Sequence, residues 1–208
     1  MNFLEELKEQ QWDDFRYYHQ NRINQSLHLL SAICFLITYF LVFVDFTAAV
    51  FFGWFAAMVP RQIGHFVFEP HAYDEINQMS DAEKERIKVG YNLNRKVVLL
   101  AVWLGSPLLV WLAPGLFGML EPWANRAELL DQIALVWAAI AFGAMIVRTL
   151  QIFFIHGIQS GLVWFVKILT EPFTNLPLYG KAPLYVLKGD LLDPMDYPHE
   201  STAGSGKA

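Results

Sequence analysis

Residues 27–59 read LHLLSAICFLITYFLVFVDFTAAVFFGWFAAMV, an apolar run interrupted only by Asp45. The hydrocarbon core of a bilayer, roughly 30 Å thick, takes about 20 helical residues, so this run is too long for one span. A carboxylate is expensive in hydrocarbon, and Asp45 followed by Phe46 and Thr47 marks a tight turn. The stretch therefore predicts two antiparallel spans, about 26–44 and 47–68. The second carries Pro60, Arg61 and His65 in its last third, so that end either enters the headgroups or is buried in protein.

The whole chain agrees with a membrane setting. Of its 208 residues 55% are apolar, 15% aromatic and only 17% charged, against about 25% charged in an average soluble domain. Mean hydropathy is +0.31. These values exclude a disordered chain, a coiled coil and a disulfide scaffold, and they argue against an ordinary soluble globule. The net charge of −5 gives no electrostatic basis for binding nucleic acid. Cys34 is the single cysteine, so neither an internal disulfide nor a cysteine metal site can form.

Outward from the first two spans, residues 3–18 place Phe3, Leu4, Leu7, Trp12 and Phe15 on one stripe of a helix that lies at the membrane surface or packs on the domain. Glu5, Glu6, Glu9, Asp13 and Asp14 there argue against a cleavable signal peptide. Residues 69–95 are polar, and Ser80-Asp81-Ala82-Glu83 has the spacing of a capping box, so a short soluble helix starts there. A third span covers about 97–112, with Pro107 as a kink. A fourth covers about 133–155 and contains Arg148. Residues 157–169 are too short to cross and predict an interfacial or re-entrant helix. From Glu171 onward five prolines argue against a long helix, so 171–208 is expected to be a Pro-rich tail ending in a frayed Gly/Ser/Ala segment. The expected architecture is an all-α, single-domain integral membrane bundle of about four transmembrane helices plus interfacial ones.

Charge orients this bundle. Four spans put both termini and the middle polar segment on one side. Of the 15 Lys and Arg, Arg126 alone falls opposite and Arg148 lies inside a span; the other 13 sit on or beside the shared side. Positive residues mark the cytoplasmic face, so both termini are expected in the cytoplasm. All six histidines map to that side, and His28, His65 and His156 sit at span ends, where a bundle brings them to similar depth.

Three constellations follow. Asn21, Asn24 and His28 fall on one helix face, a costly set at a bilayer unless it meets protein, water or ligand. His19 lies nine residues before His28, about half a turn round an unbroken helix, so the two can share a centre only if the helix begins or bends between them. Arg61, His65 and Glu69 form a polar stripe at i, i+4 and i+8, and Gly64 allows another backbone close to His65. Glu69 can orient the imidazole or neutralise Arg61. Arg148, two turns before His156, calls for a partner, an anionic ligand such as a carboxylate, or a path to the headgroups. Each constellation has a plain structural alternative: a helix end meeting headgroups, an interfacial salt-bridge ladder, a snorkelling arginine. His71 and His199 read as surface histidines. The chain has no phosphate loop, no HExxH, no serine elbow, and none of the HxxxH or HxxHH boxes of the usual membrane hydroxylases and desaturases.

The spacing H-x-N-x-x-N-x-x-x-H over His19, Asn21, Asn24 and His28, followed by Gly64-His65-Phe66-Val67-Phe68-Glu69, resembles the Mpo1-like family of small multi-span membrane proteins. The characterised fungal member is an iron(II)-dependent dioxygenase that shortens 2-hydroxy fatty acids by one carbon in α-oxidation. The motifs touch about a quarter of the chain. Here only about one and a half spans separate them, two spans follow, and His156 has no counterpart in the family pattern. The resemblance implies an Fe(II) cofactor on His19, His28 and His65; the position of His156 at a span end on the same side, and not the resemblance, makes it a fourth candidate. Glu69 is a catalytic candidate, and Asn21, Asn24, Arg61 and Arg148 are candidates for orienting the ligands or holding the substrate. The implied partners are the lipid bilayer, a fatty acyl substrate and molecular oxygen. The site would face the cytoplasm from a bacterial inner membrane or the endoplasmic reticulum. The competing expectation is a non-enzymatic lipid-binding, transport or assembly protein whose histidines serve packing or pH sensing.

Overall fold

The computed structural model describes residues 1–69 and 73–195. His71 and His199, read from sequence as surface histidines, lie outside the described residues. The architecture is all-α, with helices α1 Phe3–Tyr18, α2 Arg22–Leu41, α3 Phe46–Phe68, α4 Asp81–Ile87, α5 Leu93–Leu112, α6 Arg126–His156, α7 Ile158–Tyr179 and α8 Ala182–Leu187. Helices α2, α3, α5 and α6 are each long and apolar enough to cross a membrane. Much of their apolar surface points outward, as at Phe40, Val98, Leu104 and Phe154, which suits hydrocarbon and not water.

The local signals in the sequence explain where these helices start. Asp45 caps α3 by accepting a hydrogen bond from the Ala48 amide, so the one charge in the long apolar run sits at the turn between spans. Ser80 and Glu83 close the capping box of α4. Helix α3 is wound unevenly, with π-helical turns at Gly53–Met58 and Gly64–Phe68 on either side of Val59–Ile63. Pro60 has no N–H to give to the preceding turn, and the wider winding ahead of it accommodates the ring. The second π turn carries His65. Such turns re-aim side chains and recur at functional sites.

Two expectations change here. The segment from 157 is not a short interfacial helix followed by a proline-broken tail. Helix α7 runs 22 residues, through Pro172 and Pro177, and packs against α1, α2 and α6. Each internal proline forfeits a helical hydrogen bond, at about 3 kcal/mol. The stripe Gly161, Trp164, Lys167, Glu171, Asn175, Tyr179 is buried at helical spacing, and its tertiary contacts outweigh that cost. Gly157, at φ +97°, makes the reversal from α6 into α7.

Helix α1 packs on the domain through Phe15 and Trp12 at the end of its apolar stripe and, beyond them, through a polar face. Leu4 is exposed, whereas Glu6 and Gln10 are buried beside Phe15. Gln10 donates to the Ser160 carbonyl, Gln159 donates to Glu6, and Lys167 pairs with Asp14. This polar face is tolerated because α7 supplies partners to Glu6, Gln10 and Asp14.

Two cores organise the bundle. Trp54, Val110, Ile133 and Trp137 pack between the spans, with Trp103 stacked on Trp54 at 3.8 Å. The second, Phe15, Tyr179 and Met195, joins α1, α7 and the C-terminal segment at the start of α2.

Candidate metal centre

The helix is interrupted between Tyr18 and Arg22, where a shared His19–His28 centre requires it. Helix α1 ends at Tyr18, and Asn21 caps α2 by accepting from the Ile23 and Asn24 amides. The amides of this stretch hold the turn. Asn24 donates to the Tyr18 carbonyl at 2.9 Å, and Gln25 donates to the His19 carbonyl at 2.8 Å and to Asp193 at 2.9 Å. The C-terminal segment straps it from outside, with Arg22 N–H on the Leu191 carbonyl and Asp193 N–H on the Gln20 carbonyl. Asn21 and Asn24 therefore shape the backbone that presents His19.

The result is a buried trio. One ring nitrogen from each of His19, His28 and His65 lies within 4.8 Å of the other two. The closest pair is His19 Nε2 and His28 Nε2 at 3.2 Å. Gly64 is what lets α3 approach, because a Cβ there would overlap Asn24 Oδ1 and already touch the His28 ring. Tyr179 of α7 covers the His19 and His28 rings at 5.7 and 6.1 Å.

Hydrogen bonds behind the rings fix their protons. His19 Nδ1 faces the Asp14 carbonyl at 2.9 Å and His65 Nδ1 faces Glu69 at 2.7 Å. Both partners are acceptors, so Nδ1 carries the proton in each ring and Nε2 keeps its lone pair. His28 Nδ1 is buried with no hydrogen-bond partner. Either neutral tautomer of His28 leaves one of its polar atoms uncompensated, a costly state in a buried site. A cation at the point of convergence turns facing lone pairs from a repulsion into ligands. Burial also holds His19 in its neutral, ligating form by lowering its pKa from 6.5 to about 4. The trio thus has the donor chemistry of a metal site, and imidazole sets of this kind suit zinc, copper, iron or nickel.

The surrounding charges are arranged in pairs. Glu69, expected as a catalytic group, uses one oxygen for His65 and the other for Lys88 at 2.8 Å; it stands behind the ring and orients it. Arg61 is neutralised by Glu171, not by Glu69: its Nη2 donates to both carboxylate oxygens at 2.7 Å. Lys167 pairs with Asp14. Burial alone would raise the Asp14 carboxyl, but the adjoining Lys167 ammonium outweighs it and holds the group below the usual range.

Two expected members lie elsewhere. His156 is exposed at the end of α6 and is not part of the histidine group. Arg148 is buried, and its guanidinium donates twice to the Val89 carbonyl and once to Gln151. It does not snorkel to the surface; its bonds to the Val89 carbonyl pin the segment leading into α5.

A cavity of about 370 Å³ adjoins the trio, bounded by His19 and His65 together with Trp54, Met58, Leu100, Trp103 and Met145. A wider groove of about 830 Å³ between α1 and α7 also reaches His19. Asp14, His19, Lys167 and Glu171 border both. An apolar chamber and a larger, more polar groove thus meet at one imidazole. Lys96, placed by sequence just ahead of the third span, lies inside α5 and lines the chamber. No family model, curated protein or solved structure matches this chain.

Proposed function

We propose that this protein is a membrane-embedded dioxygenase of the Mpo1-like kind, with iron(II) held by His19, His28 and His65 and 2-hydroxy fatty acids as substrates. The observation that carries the reading is the convergence of three buried imidazoles beside an apolar chamber. Iron(II) bound there would supply the oxygen chemistry that protein side chains lack. The rest is the work of the chain's own residues. The Asp14 carbonyl and Glu69 hold the His19 and His65 rings with Nε2 available. Trp54, Trp103 and Met58 offer an apolar wall to an acyl chain and exclude water. The groove beside α1 offers a separate polar route to His19.

With the shortened acid as product, R–CH(OH)–COOH and O2 give R–COOH, CO2 and H2O. This balances in atoms and electrons, so no external reductant is needed. The termini and the histidine side would face the cytoplasm. Oxygen uptake by the purified chain, supplied with Fe(II) and 2-hydroxy fatty acids of several lengths, tests the reading. Uptake should require both the 2-hydroxyl and the three histidines. A folded protein that binds acyl lipid but takes up no oxygen would favour a lipid-binding role instead.

A further inference from the structure

Four cations border the apolar chamber: Arg61, Lys88, Lys96 and Lys167. Three are neutralised in place, Arg61 by Glu171, Lys88 by Glu69 and Glu85, and Lys167 by Asp14. Lys96 differs. Among the described residues its side chain has no ion pair and no hydrogen bond, although it sits in the first two turns of a span whose next turns are wholly apolar. An unpaired ammonium in such a place is costly unless an anion meets it.

The same wall offers further unmet polar groups. The indole N–H of Trp164, itself 3% exposed, has no acceptor. Gln62 Oε1 is buried without a donor. Along α5, Lys96 and Trp103 are seven residues apart, so they share a helix face and lie about 10 Å apart along the axis. Trp103 belongs to the apolar tryptophan core. One face of one helix therefore presents a cation near the histidines and an apolar surface two turns further on, matching an anionic head with a hydrocarbon tail.

We infer that Lys96 holds the carboxylate of an acyl ligand and makes the chamber selective for free fatty acids over their neutral esters. The inference rests on reading the chamber as an acyl site and adds the residue that chooses the head group. No metal is needed to test it. Binding of 2-hydroxyhexadecanoic acid and of its methyl ester is measured by tryptophan fluorescence on the full chain in lipid nanodiscs, after metal removal by a chelator. The wild type should bind the acid at least tenfold more tightly than the ester. Lys96→Met should weaken acid binding by about tenfold or more and leave the ester unchanged, while Lys96→Arg keeps the preference for acid. Equal affinity of the wild type for acid and ester, an unchanged acid affinity in Lys96→Met, or equal losses for both ligands would each overturn the inference. Lys96-dependent acid binding without oxygen uptake would remove the dioxygenase reading alone. Oxygen uptake with Lys96-independent acid binding would remove this inference alone.

Discussion

His19 and His28 are nine residues apart in sequence, yet their Nε2 atoms face one another at 3.2 Å. The helix break at residues 19–21 makes this possible, and three layers hold it. Asn21 caps the second helix, Asn24 and Gln25 tie the turn to it, and Asp193 returns from the far end of the chain to close it. With His65 brought in by the second π turn, the pair becomes a three-nitrogen cage.

Glu69 acts through His65. Replacing the carboxylate by an amide, Glu69→Gln, should lower metal affinity about 10–100-fold while the helical content by circular dichroism stays the same. Lys88→Met, which frees one Glu69 oxygen but leaves the His65 bond, should have the smaller effect. Metal titration of the two variants orders them, and equal affinities would contradict this role for Glu69.

Gly64 sets the distance between the first two spans. In Gly64→Ala the new methyl overlaps Asn24 Oδ1, and Asn24 cannot swing away without losing the Tyr18 carbonyl. Overpacking of this kind costs about 1–3 kcal/mol, and here it falls on the turn that carries His19. The variant should insert and remain helical but bind metal poorly; wild-type metal affinity would show that the contact is slack.

The histidine cage should be sensitive to acid. Burial lowers the His19 pKa from 6.5 to about 4, so between those values the unfolded chain takes up a proton that the folded chain refuses. Stability is therefore full above about pH 6.5 and falls as pH drops towards 4. Protons also compete with metal for the same nitrogens. Thermal unfolding of the metal-free protein from pH 7.5 to 4.5 should show this decline, and bound metal should oppose it at the upper end. A flat profile would mean that His19 is not held neutral.

Orientation can be read with single cysteines. In a Cys34→Ser background, Lys8→Cys and Glu121→Cys place exposed thiols on opposite ends of the bundle. An impermeant maleimide added outside intact cells should label the residue 121 variant and spare the residue 8 variant. The reverse pattern would invert the topology.

The parts of this arrangement that depend on neighbouring residues were legible in the sequence. Span length, the turn at Asp45, the capping box at Ser80 and the need for a break between His19 and His28 all follow from spacing over a few residues. What depends on distant partners was not. Pro172 and Pro177 argue locally against a helix, but α7 packs against three other helices and persists. Arg61 pairs with Glu171 and Arg148 with the Val89 carbonyl, and no sequence spacing announces either. His156 shares depth with the other span-end histidines by sequence, but it is exposed, which is a matter of rotation about α6. Lys96 was hidden for a simpler reason: hydropathy starts the span after it, whereas the helix starts before it.

The central claim is that His19, His28 and His65 hold one metal ion together. The direct measurement is metal content, by mass spectrometry, of the full chain purified without a histidine tag from iron-supplemented cells, alongside His19→Ala, His28→Ala and His65→Ala. The account predicts about one iron per chain in the wild type and loss of that iron in each single variant, with all four proteins equally helical. A folded wild type without stoichiometric metal, or variants that keep it, would contradict the account.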